Sequence, residues 1–201
     1  DKPEEVGKCL LTIASHFVML EDYDNALPLY KEAYQLAVEH EFVDLQKSSG
    51  IMLVKYLCGA GDYSKSLEYY NKINPEIALV PSMQNEVVKS YMELNKPDSA
   101  RIYLAERLLL EGGDKIFLNC MMAETYIPEG QEDSALIFLD RAMESYKEKK
   151  KYYQGKDREV VLPSYFLSTC YLFADLLWKK GKVQQANQYY TFVEPLMKEV
   201  V

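Results

Sequence analysis

Histidine is nearly missing from the 201 residues, with only His16 and His40, and glycine and proline together supply just 17. So few turn formers exclude an all-β sandwich with its many tight turns. The four cysteines, Cys9, Cys58, Cys120 and Cys170, lie 49, 62 and 50 residues apart with no CxxC pair. With so few histidines beside them, no zinc site is expected, and no other metal or cofactor. The sequence contains no N-x-S/T sequon, and its longest apolar stretch, 9–20, is broken by Thr12, Ser15 and His16. That stretch is far short of the roughly 20 residues a membrane-spanning helix needs. An excess of positive charge is also absent: 23 basic against 31 acidic residues leave a net charge of −8. A phosphate backbone is repelled by such a molecule, so nucleic-acid binding by this segment is not expected.

Catalytic signatures are missing as well. There is no GxxxxGK[S/T] phosphate loop, no GxGxxG and no GxSxG, and His40-Glu41 is followed by Phe42, Val43 and Asp44 rather than completing HExxH. The sequence therefore reads as that of a non-enzyme.

What is present is a folded chain, 48% apolar and 27% charged, with 17 tyrosines. Helices are the expected element. The dispersed cysteines read as reduced thiols packing as small hydrophobes. They favour the cytoplasm, with the periplasmic part of a membrane-tethered regulator as the alternative. A chain opening on Asp1 and closing on Val200-Val201 reads as a mature product or as an excised piece of a longer polypeptide.

A repeat organises the chain. "EDYDNALPLYKEA" at 21–33 recurs at 60–73, 95–107, 130–142 and 181–193, with Ala26, Ser66, Ala100, Ala135 and Ala186 as anchors spaced by 40, 34, 35 and 51 residues. The two long spacings require about 6 and 17 extra residues in turns or extended helices. Thirteen residues before the anchors stand Ile13, Leu53, Val87, Met122 and Phe173; twelve before stand Ala14, Val54, Val88, Ala123 and Ala174. Nine before are Phe17, Leu57, Tyr91, Tyr126 and Leu177, and four after are Tyr30, Tyr70, Leu104, Leu139 and Tyr190. These steps describe two amphipathic helices flanking a turn. The turn falls five residues before the anchor, at Glu21, Gly61, Asn95, Gly130 and Gly181.

On these columns the sequence resembles the tetratricopeptide-repeat (TPR) family, whose unit is helix A, turn, helix B. The resemblance implies an all-α, right-handed α-α superhelix of about five helix pairs. Its units are expected near 4–41, 43–79, 82–112, 114–151 and 163–201, in a single solenoid domain. Ser66 departs from the anchor alanine, and Arg101 and Arg107 fall on the third helix B, which predicts less regular packing in the middle. The first helix is expected from about Pro3 to Leu20, with Asp22 or Asp24 capping the next. Pro28 is read as tolerated and Gly112-Gly113 as closing a helix. Pro195 is expected to kink or end the last helix.

The resemblance also implies a concave groove lined by helix A that receives a peptide or protein segment. The groove column eleven residues before the anchor holds Ser15, Lys55, Lys89, Glu124 and Asp175. Asn85, Tyr171 and Trp178 lie on the same face. Lys55, Asn85 and Lys89 are expected to give it a basic part, Glu124 and Asp175 an acidic part, and Tyr171 with Trp178 an aromatic ledge. The two-carboxylate clamp of chaperone-binding family members is not reproduced, since the first unit offers Leu11 and Ser15.

Lys147 to Lys151 with Lys156 and Arg158 form the one basic concentration, six cations against two acids over 147–158, or +4. It reads as the solvated end of a long helix or as a dock for an acidic partner. Tyr189, Phe192 and Leu196 are expected to leave an apolar C-terminal edge open to self-association. The function expected is a protein- or peptide-binding module. The alternatives are the sensory or regulatory repeat region of a longer bacterial transcription regulator or sensor, and an enzyme accessory domain.

Overall fold

The computed structural model describes residues 2–73, 83–110, 114–154 and 164–197, and among these no strand occurs. The first unit of the repeat is α1 (Pro3–Met19) and α2 (Tyr23–Glu39), followed by α3 (Val43–Gly59) and α4 (Tyr63–Lys72). The third is α5 (Gln84–Glu93) and α6 (Pro97–Leu108). The last two are α7 (Lys115–Glu124) with α8 (Glu132–Tyr153), and α9 (Ser164–Lys179) with α10 (Val183–Met197). By contact the chain forms two compact units, Asp1–Ala100 and Arg101–Val201, and the division falls within α6. In the first, α1 packs on α2, α2 on α3, α3 on α4, and α5 on both α3 and α4. In the second, α7 packs on α8, α9 on α10, and α7 on α9.

One turn design leads into every helix B; in four units it closes helix A directly, and in the fourth it follows a short 3-10 turn, Ile127–Glu129, after α7 has ended at Glu124. Glu21, Gly61, Asn95, Gly130 and Gly181 all adopt positive φ, between 56° and 80°. The residue after each donates its N–H to a carbonyl five positions back: Asp22 to Phe17, Asp62 to Leu57, Lys96 to Tyr91, Gln131 to Tyr126 and Lys182 to Leu177, at 2.9–3.1 Å. This pattern satisfies carbonyls that the helix end would otherwise leave without donors. The same residues then receive the anchor's N–H, so the first bond of helix B is set by the turn itself. Asp22 and Asp62 also cap helix B with their side chains, accepting from Asn25 N and Lys65 N.

The anchors are fully buried, all at 0% exposure. Ser66 fits this column because its Oγ donates to the Val54 carbonyl at 2.9 Å, and Val54 belongs to the small-residue column of the facing helix. A buried hydroxyl without that bond would be costly. The extra residues between the first two anchors lie in helix, since α2 and α3 are each 17 residues long. Those before the last anchor lie partly in the 22-residue α8 and partly in 155–163, outside the described residues. Gly112, Gly113, Lys156 and Arg158 are also outside them.

Three expectations are corrected. Helix α10 continues through Pro195 to Met197. Pro195 is exposed, so its ring stands away from the packed face and the helix loses only the one ladder bond that proline cannot donate. Tyr189 is buried at 5% and bonds Asp140 Oδ1 through its hydroxyl at 2.9 Å, while Phe192 packs edge-on against Tyr146 and Phe166. Both belong to the core of the last two helix pairs. Cys9 is exposed, unlike the other three cysteines, so it does not pack as a small hydrophobe.

Candidate functional site

Helix A carries the groove candidates, and burial separates them. Lys55 and Asp175 are half-buried, whereas Ser15, Lys89 and Glu124 are exposed, so no member of this column is buried. The columns on either side of it, fifteen residues before the anchor (Leu11, Ile51, Asn85, Cys120, Tyr171) and eight before it (Val18, Cys58, Met92, Ile127, Trp178), are mixed. Leu11, Ile51, Val18, Met92 and Ile127 are partly exposed, but Cys58 and Cys120 are buried and line no open surface. Ser15 turns its hydroxyl back to the Leu11 carbonyl at 2.8 Å and to Tyr30 Oη at 3.2 Å.

In the first unit the face is basic. Lys55 projects from α3, Asn85 and Lys89 from α5, and the two helices meet at Cys58, whose Sγ lies 3.6 Å from the Glu86 carbonyl. Burial pushes the Cys58 thiol above its ordinary range, while the nearby Lys89 charge acts in the opposite direction. Among the described residues, Lys55 and Lys89 appear in no ion pair.

In the second unit the face is acidic and aromatic. Glu124, the last residue of α7, accepts from Thr169 Oγ1 at 2.6 Å, and Thr169 is 2% exposed on α9. Asp175 accepts from Lys179 one turn on, also at 2.6 Å. Tyr171 and Trp178 are exposed on α9, the tryptophan at 52%, with Leu172 beside them. Tyr171 meets Tyr190 edge-on at 5.9 Å. The two aromatics thus form an open ledge on one helical face. Thr169 was not foreseen from the sequence. Its column, seventeen residues before the anchor, is otherwise apolar or small, which is a signal that a polar residue there needs a partner.

Arg101 lies apart from this face. Its guanidinium stands 4.0 Å from the Tyr126 ring centroid, donates to the Thr125 carbonyl at 2.9 Å and pairs with Glu129. Arg107 is 6% exposed and lies 4.8 Å from the Tyr103 ring. Both arginines therefore serve packing around α6.

Asp114 caps α7 through Ile116 N and Phe117 N, and its other oxygen accepts from Tyr165 Oη at 2.8 Å. Desolvation and this carboxylate push the Tyr165 hydroxyl well above the usual phenol range. A cleft of about 610 Å³ lies elsewhere, between Tyr34, Gln35 and Val38 of α2 and Tyr69 and Lys72 of α4. Among the described residues, no group of three or more His, Cys, Asp or Glu is placed to hold a metal ion. No described helix is long and apolar enough to cross a membrane.

Helix pairs with a buried small anchor, a left-handed turn and an exposed helix A column define a TPR-like helical-repeat fold. The same fold is seen in a crystal structure of nearly identical TPR-like repeats from a Podosopora anserina protein described provisionally as a kinesin light chain. The two share 13% sequence identity at a TM-score of 0.68, covering 100% of this chain and 98% of that one. No family model matches the sequence, and no curated protein matches it.

Proposed function

We propose that the chain is a non-catalytic module that binds a protein or peptide segment along the exposed faces of its A helices. The observation that carries this reading is the column of Ser15, Lys55, Lys89, Glu124 and Asp175, exposed or half-buried throughout, while the column one residue before it, Ala14, Val54, Val88, Ala123 and Ala174, is buried in every unit. The fold alone does not assign a partner. The charges point to its chemistry. On the first unit, Lys55, Asn85 and Lys89 suit an acidic stretch. On the second, Tyr171 and Trp178 with Asp175 and Glu124 suit a stretch that joins an apolar side chain to a cation. The carboxylates there are engaged by Thr169 and Lys179, a positioning role more in keeping with recognition than with proton transfer.

The test is affinity capture with the intact chain, the Lys55→Glu/Lys89→Glu variant and the Tyr171→Ala/Trp178→Ala variant, all checked for equal helicity and melting temperature. The expected result is a protein retained by the intact chain and lost from both variants. Truncating a well-packed aromatic anchor costs about 2 kcal/mol or more of binding. Equal retention by all three would sink the reading.

A further inference from the structure

Arginine is a ring-stacking residue throughout this chain. All three described arginines lie over an aromatic ring: Arg101 stands 4.0 Å from the Tyr126 centroid, Arg107 4.8 Å from that of Tyr103 and Arg141 5.0 Å from that of Phe138. Arg101 also pairs with a carboxylate, Glu129, three residues beyond its ring. A planar guanidinium meets both demands at once, because its N–H groups fork onto the carboxylate in the plane while its face lies on the ring. A lysine ammonium is a point charge and lacks such a face.

The α9 ledge presents a ring and a carboxylate together, and no arginine is set between them. Asp175 lies one turn from Tyr171 and one turn from Trp178, at i, i+4 and i+7 of a single helical face. Among the described residues no cation stands over either ring. Trp178 is 52% exposed, and an indole offers a cation the strongest ring face. Asp175 already holds the ammonium of Lys179 at 2.6 Å, but this is a pair between exposed side chains of one helix, 69% exposed for Lys179 and 51% for Asp175. Such a pair is weak, and half of the carboxylate's surface stays open to a second cation. Lys179 thus occupies the charged part of the ledge and leaves the rings uncovered. Glu124, joined to α9 through the Thr169 hydroxyl, adds a second carboxylate with no cation on it among the described residues, so the face keeps a net negative charge.

We infer that the α9 ledge is an arginine subsite, in which a guanidinium of the bound segment displaces Lys179 from Asp175 and stacks on Trp178. The inference rests on the proposed function and adds to it the identity of the cation and the residue that competes for its place. Selectivity follows from that competition: an incoming lysine gains only the contact that Lys179 already makes, whereas an arginine gains the indole face as well.

The isotope-labelled full chain is titrated with a short glycine–serine peptide carrying a central leucine–arginine pair, and with its lysine and citrulline counterparts, while the indole N–H resonance of Trp178 is followed by NMR. The arginine peptide should shift that resonance to saturation, with a dissociation constant about threefold or more below that of the lysine peptide. Citrulline, which keeps the shape of arginine without its charge, should leave the resonance in place. Lys179→Gln should tighten binding of the arginine peptide about twofold by removing the resident competitor, and Asp175→Asn should weaken it severalfold. The two substitutions act in opposite directions, so a general loss of folding cannot imitate the pair. Equal binding of the arginine and lysine peptides, or of the arginine and citrulline peptides, overturns the inference while leaving the ledge a docking face. An unchanged affinity in Lys179→Gln overturns it too. So does the absence of a shift with any of the three peptides, and retention by the Tyr171→Ala/Trp178→Ala variant in affinity capture then decides the wider reading separately.

Discussion

Five residues carry the left-handed turns before helix B, with Glu41 (φ 57°) a sixth after α2, and they are not equally suited to them. Glycine adopts positive φ without steric cost, while any residue with a Cβ is strained there by roughly 1 kcal/mol. Glu21, at φ 60°, is the unfavourable member of the column. Glu21→Gly is expected to raise unfolding free energy by about 0.5–1 kcal/mol in urea titrations. Gly61→Ala and Gly181→Ala should each lower it by about 1 kcal/mol. A Cβ at either position meets nothing within 4 Å, so the loss there is one of backbone conformation and not of crowding. Ser66 is a second residue-scale case. Its hydroxyl donates to a carbonyl within α3 that already serves the helix ladder. Ser66→Ala should therefore change stability by no more than about 1 kcal/mol, whereas Ser66→Val should cost about 1–3 kcal/mol by overfilling a site with no exposed surface. Chemical denaturation of the two variants side by side separates hydrogen bonding from packing.

At the scale of elements, helix boundaries were legible because caps and turns are written in local chemistry. Pro3 opens α1, Asp22 caps α2, and the left-handed column precedes each helix B, with α1 ending at Met19, one residue before expectation. Long-range packing was less legible. Tyr189 and Phe192 look like an open edge in one dimension, yet a helical face can turn inward toward Tyr146, Phe166 and Asp140, residues 26 or more positions away. Exposure along helix A was partly legible: Lys89, Glu124, Tyr171 and Trp178 are exposed, but Cys58 and Cys120 on flanking columns are buried, because neighbouring helices approach there. Contacts between elements also set the alkaline limit of stability. Burial raises the Tyr56 hydroxyl to about 12, with Tyr30 adding to the effect, and burial beside Asp114 and Asp140 pushes Tyr165 and Tyr189 higher still. An unfolded tyrosine ionises near pH 10. The folded pKa values lie above that, so the stabilisation is complete below pH 10 and is lost as pH rises through the folded values. Burial raises the Cys58, Cys120 and Cys170 thiols in the same way, and an unfolded thiol ionises at about pH 8.5, so melting temperature should begin to fall above about pH 8 and fall more steeply above about pH 10, and Tyr189→Phe should flatten the slope above about pH 10.

Over the whole molecule, the two edges of the array differ in character. Terminal repeats generally need a polar outer side to stay soluble. α10 meets that need with Asn187 and Glu194, while α1 leaves Val6 and Ile13 open. The exposed Trp178 has an optical consequence. It is the only tryptophan among 201 residues, and it stands in the Arg101–Val201 unit with half its surface in water. Its emission should already be red-shifted in the native protein, open to acrylamide quenching, and little moved in wavelength by urea. Fluorescence will thus be a poor witness to unfolding of this chain but a direct one to occupation of the aromatic ledge, where a bound side chain would shift the emission blue and slow the quenching.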